Sequence, residues 1–381
     1  MSFIPAENAV ASVAALFVIA ALGFAMEKTR IGALLTGAVW AILFAIIASN
    51  VGLIPQDSPG YGFVFTYFVP ILIPLFLMKA DLKKIFFETT RMTGAFLLAS
   101  LGTAIGAVVA FSLIDIGENE AAAASTFTAT YIGGSVNYAA LVDLTGLRES
   151  NPAFVSAATA VDNLYSGLFL ALLAVLPGIN WVASRFVARD HSQGEVETEA
   201  AGKPTAASIV YSVTFALIVV ALGDAITAYL RETQGAAWGN WRYAIITILA
   251  LIPATLAPKV MAKLHGGYEV GIGLSFVFFA AIAAGADLRA VVEEAPLLIL
   301  IIGVLLSVHG LVTFGLGSLF RLSLPELITA SNAAILGATT APALAAAKGW
   351  KDLVTPGVLV GVFGYAIGTL IATAVYQFWP G

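Results

Sequence analysis

Ten apolar runs, separated by mostly short polar connections, divide the chain and constrain its fold more than any other feature. They cover residues 9–27, 31–49, 61–78, 93–114, 152–177, 207–229, 242–258, 268–286, 296–320 and 354–378. A helix of about 20 apolar residues crosses the hydrocarbon core of a bilayer. Because no water can pair with backbone polar groups there, such runs form helices. The runs predict an all-α polytopic membrane protein.

The composition agrees with this class and excludes several others. Of the 381 residues, 60% are hydrophobic and 11% are charged, whereas a soluble domain has roughly 25% charged residues. Soluble enzymes, nucleic-acid-binding proteins and disordered scaffolds are therefore excluded. The chain contains no Cys, which excludes disulfides and thiolate metal sites. No zinc-protease, phosphate-loop or serine-hydrolase motif occurs, so we expect neither enzymatic activity nor a cofactor.

The two halves of the chain resemble each other in sequence. Residues 79–83 follow the third run and residues 285–289 follow the eighth, with an Asp at the centre of each. Two odd apolar segments, 121–145 and 325–347, also correspond, with Gly133 placed opposite Gly337. Chance similarity between Ala- and Gly-rich helices is the alternative. We predict a first repeat over 1–177, a cytoplasmic linker over 178–206 and a second repeat over 207–381.

The Lys and Arg residues indicate how the chain is oriented. If segments 121–145 and 325–347 return to the side from which they enter, 14 of the 18 cations lie on one side and 4 on the other. If both segments cross, the division is 12 to 6. Cationic loops stay in the cytoplasm, so we favour re-entrant segments and five crossings per repeat, which inverts the second repeat. We expect a bacterial inner-membrane location, a retained first helix and periplasmic termini.

The two odd segments are rich in Gly, Ser, Thr and Asn. Gly133, Gly134 and Pro342 can break a helix, because Gly tolerates positive φ and Pro lacks an N–H. Freed carbonyls and hydroxyls could bind a cation, and freed N–H groups at helix starts could bind a carboxylate. The alternative is that small residues merely allow tight helix packing. Two such segments at equivalent positions favour the binding interpretation.

Asp162 is the leading candidate for ion coupling. It lies near the middle of run 152–177, beside Asn163, where a carboxylate costs at least about 2.5 kcal/mol. It could serve Na⁺ or H⁺, or it could instead support a broken helix through hydrogen bonds. His309 is expected to make an interhelical hydrogen bond, and Glu326 to sit at a helix start.

Four strings of the sequence resemble a known family. They are Tyr131–Tyr138, Ala330–Ala333, Ala345–Trp350 and Pro356–Gly368. These strings resemble the bacterial integral-membrane family called domain of unknown function 819. The resemblance implies kinship with sodium/glutamate symporters, bile-acid:sodium symporters and cation/proton antiporters. It further implies inverted repeats, crossed broken helices or hairpins, and an elevator-type transport domain.

The resemblance also implies which residues form the binding site. Two hairpin tips would hold the solute, formed by Gly133, Gly134, Ser135 and Asn137 and by Ser331, Asn332, Gly337, Thr339 and Thr340. The candidate Na⁺ ligands are Asp162, Asn163, Asn137 and Thr130. Ranges 93–177 and 296–378 would form the moving transport domain, and 9–78 and 207–286 a scaffold. A homodimer remains one option for the assembly.

We therefore predict a Na⁺-coupled symporter for a small organic, carboxylate-bearing solute. A cation/proton antiporter that uses Asp162 is the first alternative. A channel or a membrane interaction protein without coupled transport is the second. The sequence does not identify the solute, because the predicted tips offer only generic polar groups.

Overall fold

The computed structural model describes residues 2–29, 37–192, 203–285 and 288–379. Regular structure within these ranges is helical throughout. The principal helices are α1 (Ala9–Glu27), α2 (Gly37–Asn50), α3 (Pro59–Leu77), α4 (Leu82–Glu88), α5 (Thr90–Leu113), α6 (Glu120–Thr145), α7 (Pro152–Val175), α8 (Ala206–Gln234), α9 (Arg242–Leu256), α10 (Gly267–Ala284), α11 (Leu288–Leu319), α12 (Leu324–Leu336), α13 (Thr340–Ala347) and α14 (Val354–Gln377).

Eight helices in the described ranges are long and apolar enough to cross a membrane, namely α1, α3, α5, α7, α8, α10, α11 and α14. The predicted polytopic all-α class is therefore confirmed. Ten long spans were predicted, and two of them correspond to shorter helices. Helix α9 has 15 residues and is about 22 Å long at 1.5 Å per residue. Helix α2 begins at Gly37, and residues 30–36 lie outside the described part of the chain.

The helices pack in two groups. In the first group, α6 packs against α14, α5 and α7 against α11, and α12 against α5, α6 and α14. In the second group, α2 lies between α1 and α10, while α3 contacts α8, α9 and α10. The first group contains the ranges predicted as the transport domain, and the second contains the scaffold ranges. The division into moving and static domains stays a prediction.

The first part of the linker packs back onto the helices. Phe186 contacts the ring of Phe314 edge-on, with the ring centres 6.3 Å apart. Trp181 is exposed, and the guanidinium of Arg185 lies over its ring at 4.6 Å. The pairing of an exposed Trp with Arg is typical of a membrane–water interface. Residues 193–202, which belong to the predicted linker, lie outside the described ranges.

Candidate functional site

Helix α6 is a hairpin rather than a straight rod. Within it, Gly134 has φ 71° and ψ −169°, which is not helical. Ser150, after the helix, donates a hydrogen bond of 3.3 Å to Asn119, before it. A straight helix of 26 residues would separate its ends by about 39 Å, and the five residues after Thr145 can span at most about 18 Å. The chain therefore folds back at Gly134, and we call Glu120–Thr145 the first hairpin.

Helices α12 and α13 form the corresponding second hairpin, residues 324–347. Between them, Gly337 has φ 90° and ψ −170°. The two ends of this segment also lie close together. The imidazole of His191 is within hydrogen-bonding distance of Ser323, before α12, at 2.8 Å and of Asp352, after α13, at 2.9 Å. The predicted break in each segment is confirmed.

The positions of the two breaks correct the predicted alignment of segments 121–145 and 325–347. Gly134 and Gly337 share one backbone conformation, in a region of φ/ψ space that essentially only Gly adopts. The structural partner of Gly337 is therefore Gly134, and the predicted pairing with Gly133 is wrong by one residue. Pro342 does not make the break either. It lies in the first turn of α13, where a missing N–H has no consequence because that donor has no helical partner.

The two hairpin tips meet on the glycine-rich face of α14. A Cβ atom added to Gly361 would approach the Ala338 nitrogen to 2.7 Å, and one added to Gly368 would approach the Gly133 nitrogen to 3.0 Å. Gly364 lies between these contacts, with its added Cβ 3.5 Å from the Gly133 Cα. Only Gly allows the backbones to come this close. The tips thus contact α14 within about two helical turns of each other.

Each tip exposes one hydroxyl residue in otherwise buried surroundings. Ser135 directly follows the first break and Thr339 lies two residues after the second, and both are exposed. Both breaks themselves are buried. The other described residues therefore leave these two side chains uncovered beside the two breaks. That Ser135 and Thr339 bind a solute stays a prediction.

Aromatic residues surround the tips. Tyr365 of α14 is buried, and its ring is 3.9 Å from the position of a Cβ on Gly134, while its hydroxyl is 3.5 Å from that of Gly337. Phe76 of α3 contacts both Tyr365 and Tyr268, with ring centres 5.2 and 5.3 Å apart. Polar groups beside aromatic walls are typical of small-molecule sites. Tyr365 is not among the predicted site residues, although it lies within the family string 356–368.

Two of the predicted ligands bind to each other across the second break. The Thr340 hydroxyl donates a 2.6 Å hydrogen bond to the Asn332 amide oxygen, and the Asn332 amide donates a 3.4 Å bond to the Thr340 carbonyl. Asn332 is fully buried, whereas Thr340 is half-buried. This pair holds the two arms of the hairpin on either side of Gly337. The geometry gives Asn332 a positioning role.

Ser331 belongs to a hydrogen-bonded chain through His309. Thr103 donates its hydroxyl proton to the Tyr131 carbonyl at 3.0 Å, so it must accept from Nδ1–H of His309, 2.9 Å away. The other imidazole nitrogen then accepts from Ser331 at 2.8 Å in the neutral ring. The expectation of an interhelical hydrogen bond at His309 is confirmed. The chain connects the second hairpin to the first through α11 and α5.

Asn137 faces α14. Its amide nitrogen donates to the Gly364 carbonyl at 3.2 Å, whereas its oxygen is buried and has no hydrogen-bond partner in the described structure. Gly133 is also buried against this amide. Neither residue is exposed at the tip. Their observed contacts attach the first hairpin to α14.

The Asp162 side chain faces the first hairpin. It is half-buried and lies beside the hydroxyls of Thr130 and Tyr131. One carboxylate oxygen of Asp162 and the Tyr131 hydroxyl are buried without a hydrogen-bond partner among the residues that the structure describes. Asn163, the next residue, donates to the Thr159 carbonyl at 2.7 Å, which leaves its amide oxygen available. Thr130 of the first hairpin therefore lies beside Asp162 of α7, whereas Asn163 bonds within α7 and Asn137 contacts α14.

The side chains beside the Asp162 carboxylate offer oxygen atoms as ligands. Within ranges 2–29, 37–192, 203–285 and 288–379, no group of three or more His, Asp or Glu side chains could hold a metal ion. The groups beside the Asp162 carboxylate are the hydroxyls of Thr130 and Tyr131. Hard cations prefer such oxygen ligands. A bound cation or proton would satisfy the buried carboxylate oxygen of Asp162 that has no partner in the described structure.

Other charged residues near helix ends are paired. Glu326 forms a capping box with Ser323, as expected for a helix-start residue, and accepts a 2.9 Å hydrogen bond from Arg91. Asp224 pairs with Arg242 at 2.6 Å. Asp143 accepts a 2.6 Å hydrogen bond from the buried Tyr243 hydroxyl, a partner that the sequence pattern did not indicate.

Comparisons with known proteins agree with this picture of a membrane protein. The sequence model of the family described as "Protein of unknown function (DUF819)" matches residues 14–379. A relative from Bacillus subtilis (strain 168), described as "Uncharacterized membrane protein YjcL", is 31% identical over 369 residues. That alignment covers 91% of this chain and 90% of the relative. The chain belongs to the DUF819 family.

Proposed function

We propose that this DUF819-family membrane protein is a secondary active transporter that couples Na⁺ to the symport of a small carboxylate-bearing solute. One observation carries the proposal. Two hairpins with the same Gly-only break meet on one helix, and each exposes a hydroxyl residue, Ser135 or Thr339, at an otherwise buried tip. Interrupted helices that meet in this way form the substrate sites of many secondary transporters.

The tips offer groups that favour an anion. A new helical arm begins just after each break, at Ser135 in the first hairpin and at Thr340 in the second. The first N–H groups of a helix have no helical acceptor, and the helix dipole places partial positive charge there. The exposed hydroxyls of Ser135 and Thr339 can donate further hydrogen bonds. A solute carboxylate between the tips would satisfy these donors.

The Asp162 region offers the coupling site. A carboxylate oxygen buried without a partner is costly unless it is protonated or paired with a cation. Na⁺ bound by Asp162, Thr130 and Asn163 would pair it with oxygen ligands from α7 and the first hairpin. Ion binding would thereby stabilise the first hairpin, whose tip contacts the solute. Ion binding would therefore favour solute binding through the first hairpin.

The packing supports an elevator-like movement of inverted repeats. The hairpins, α5, α7, α11 and α14 pack mainly with one another, and the remaining long helices form the second group. A group that carries both binding regions could move past the other as one body. We place the protein in the inner membrane with both termini in the periplasm, on the 14-to-4 distribution of cations.

A cation/proton antiporter is the second candidate, because the Tyr131 hydroxyl lies beside the Asp162 carboxyl, one oxygen of which is buried without a hydrogen-bond partner in the described structure. A proton on Asp162 would exchange with Na⁺ at the same oxygens. Adding Na⁺ to proteoliposomes without organic solute would dissipate an imposed pH gradient in this case. A pure symporter would leave the gradient unchanged.

The first test of the symporter is the melting temperature of the purified protein in NaCl, KCl and choline chloride at equal ionic strength. We expect specific stabilisation by Na⁺, because binding to the folded state alone raises its stability. Asp162→Asn should abolish the stabilisation, while Glu118→Gln, at an exposed site in a turn, should retain it. Absence of Na⁺ stabilisation at every pH would refute the symporter.

The second test identifies the solute and its site. Small metabolites are screened for stabilisation with and without Na⁺, and a hit is tested on Ser135→Ala and Thr339→Val. Each variant should weaken the stabilisation by the solute but keep that by Na⁺. Thr233→Val, at an exposed site on α8, is the matched control. If both tip variants bind the solute as the wild type does, the solute does not bind between the tips.

A further inference from the structure

A cavity lies where α7 begins, away from the hairpin tips. Its volume is about 450 Å³, and its walls come from the start of α3, the start of α7 and the end of α10. Arg148, Ser156, Tyr61 and Gln56 are among its lining residues. Sites for small molecules have volumes of roughly 300–1,000 Å³. The cavity is therefore large enough for a small solute.

Arg148 contributes to this cavity a guanidinium that has no hydrogen-bond acceptor in the described structure. Its carbon lies 3.5 Å from the centre of the Phe65 ring, and 22% of the side chain is exposed. Its ion pair with the exposed Glu149 is loose, because the guanidinium nitrogen and the carboxylate oxygen are 3.8 Å apart, beyond hydrogen-bonding distance. Within the described ranges, none of its N–H donors has a hydrogen-bond acceptor. A guanidinium can stack on an aromatic ring through its face while its edge remains free to bind a planar anion.

Burial makes the lack of an acceptor unfavourable. Loss of solvation lowers the pKa of Arg148, yet a guanidinium stays protonated at physiological pH. A positive charge that is partly removed from water gains most from an opposing charge placed directly on it. Asp57 and Glu149 do not supply it fully, because both are exposed at the rim and their charges are screened by water and salt. Asp143, which also interacts with Arg148, is already paired with Arg242 and Tyr243.

We propose that this cavity binds the carboxylate group of a small solute, with Arg148 as the group that recognises it. The guanidinium presents two parallel N–H groups that match the two oxygens of a carboxylate. Phe65 holds the guanidinium plane in position. The inference rests on the proposed function for the class of solute, but it assigns a second site that is separate from Ser135 and Thr339.

The cavity lies on the face of α7 that leads to the ion site. Val155 lines the cavity, and Asp162 follows seven residues later. Seven residues make almost two complete turns of a helix, so both side chains lie on nearly the same face about 10 Å apart. A carboxylate held by Arg148 would therefore lie between solvent and the Asp162 region. This position suits a first binding step that precedes transfer towards the tips.

Because the chain contains no Cys, a single introduced Cys can report whether a carboxylate occupies the cavity. The exposed lining residue Gln56 is replaced in Gln56→Cys, and its reaction with a charged thiol reagent is followed in the purified protein. Acetate and succinate are added as choline salts, with acetamide as the neutral comparison. We expect at least one carboxylate, but not acetamide, to slow the labelling. Because the salts contain no Na⁺, neither transport nor ion coupling is needed for this result.

Substitution of Arg148 tests whether its guanidinium recognises the carboxylate. In the Gln56→Cys background, Arg148→Gln should raise the half-protecting concentration at least about tenfold, since charged hydrogen bonds contribute about 1.5–3 kcal/mol. Arg148→Lys should have a smaller effect, because it keeps the charge but loses the paired N–H groups. Arg231→Gln, which removes an exposed charge elsewhere, should leave protection unchanged. The rate of labelling without carboxylate and the melting temperature show whether each variant is folded.

Two results would overturn the inference: no protection of the parent by either carboxylate, or full protection in folded Arg148→Gln. Neither result bears on Na⁺ stabilisation or on the tip variants, so the transporter proposal would stand or fall separately. Conversely, Arg148-dependent protection in a protein that Na⁺ does not stabilise would support the cavity site and refute the symporter.

Discussion

The positive φ angles at the two hairpin breaks lead to a quantitative prediction about glycine substitutions. Gly134→Ala and Gly337→Ala place a Cβ on residues with φ 71° and 90°. Little else opposes the new methyl group. Its nearest neighbour is an atom of Tyr365 at 3.9 Å in the first case and 3.5 Å in the second, both ordinary contacts. The effect of each substitution should therefore come almost entirely from the backbone.

The magnitude follows from two opposing terms. A non-Gly residue in this region of φ/ψ space costs about 1–3 kcal/mol. Ala also restricts the unfolded chain, which returns about 0.4–1 kcal/mol. The net loss is then about 0–2.6 kcal/mol for each variant. With an unfolding entropy of about 0.8 kcal/mol/K for 381 residues, the melting temperature should fall by up to about 3 °C.

The assay is thermal unfolding of the purified variants in one detergent and one salt. Gly94→Ala is the control, because Gly94 is exposed on α5 and has no atom within 4 Å of an added Cβ. It should match or slightly exceed the wild type, since Ala favours a helix over Gly. If Gly134→Ala and Gly337→Ala melt like Gly94→Ala, the breaks do not depend on the conformational freedom of these glycines.

Two further predictions concern buried hydrogen bonds. His309→Leu leaves the hydroxyls of Ser331 and Thr103 without the partner that joins them, so we expect a loss of about 2–4 kcal/mol in chemical unfolding; an unchanged midpoint would contradict the chain of hydrogen bonds. Tyr243→Phe removes the 2.6 Å hydrogen bond to Asp143, and a loss of about 1–3 kcal/mol is expected. Wild-type stability of Tyr243→Phe would show that this bond is not formed in solution.

The sequence alone determined the helices and their class. Run 9–27 matches α1 (Ala9–Glu27), and run 354–378 matches α14 (Val354–Gln377) to within one residue. A membrane span is set by the length of its own apolar run, so no distant contact is needed to locate it. The same local reasoning located two interrupted segments and the buried carboxylate of Asp162. Local sequence also placed Glu326 correctly at the start of a helix.

The tertiary structure decided which residue performs each role within those segments. Either glycine of the pair at 133 and 134 could have carried the break, but Gly133 must be small to pack against α14, which leaves Gly134 to adopt positive φ. Contacts between helices likewise turned Asn332 and Ser331 inward and left Ser135 and Thr339 exposed. Chemically similar side chains take different roles here because they contact different neighbours. Those contacts come from packing between distant parts of the chain, and no local pattern encodes them.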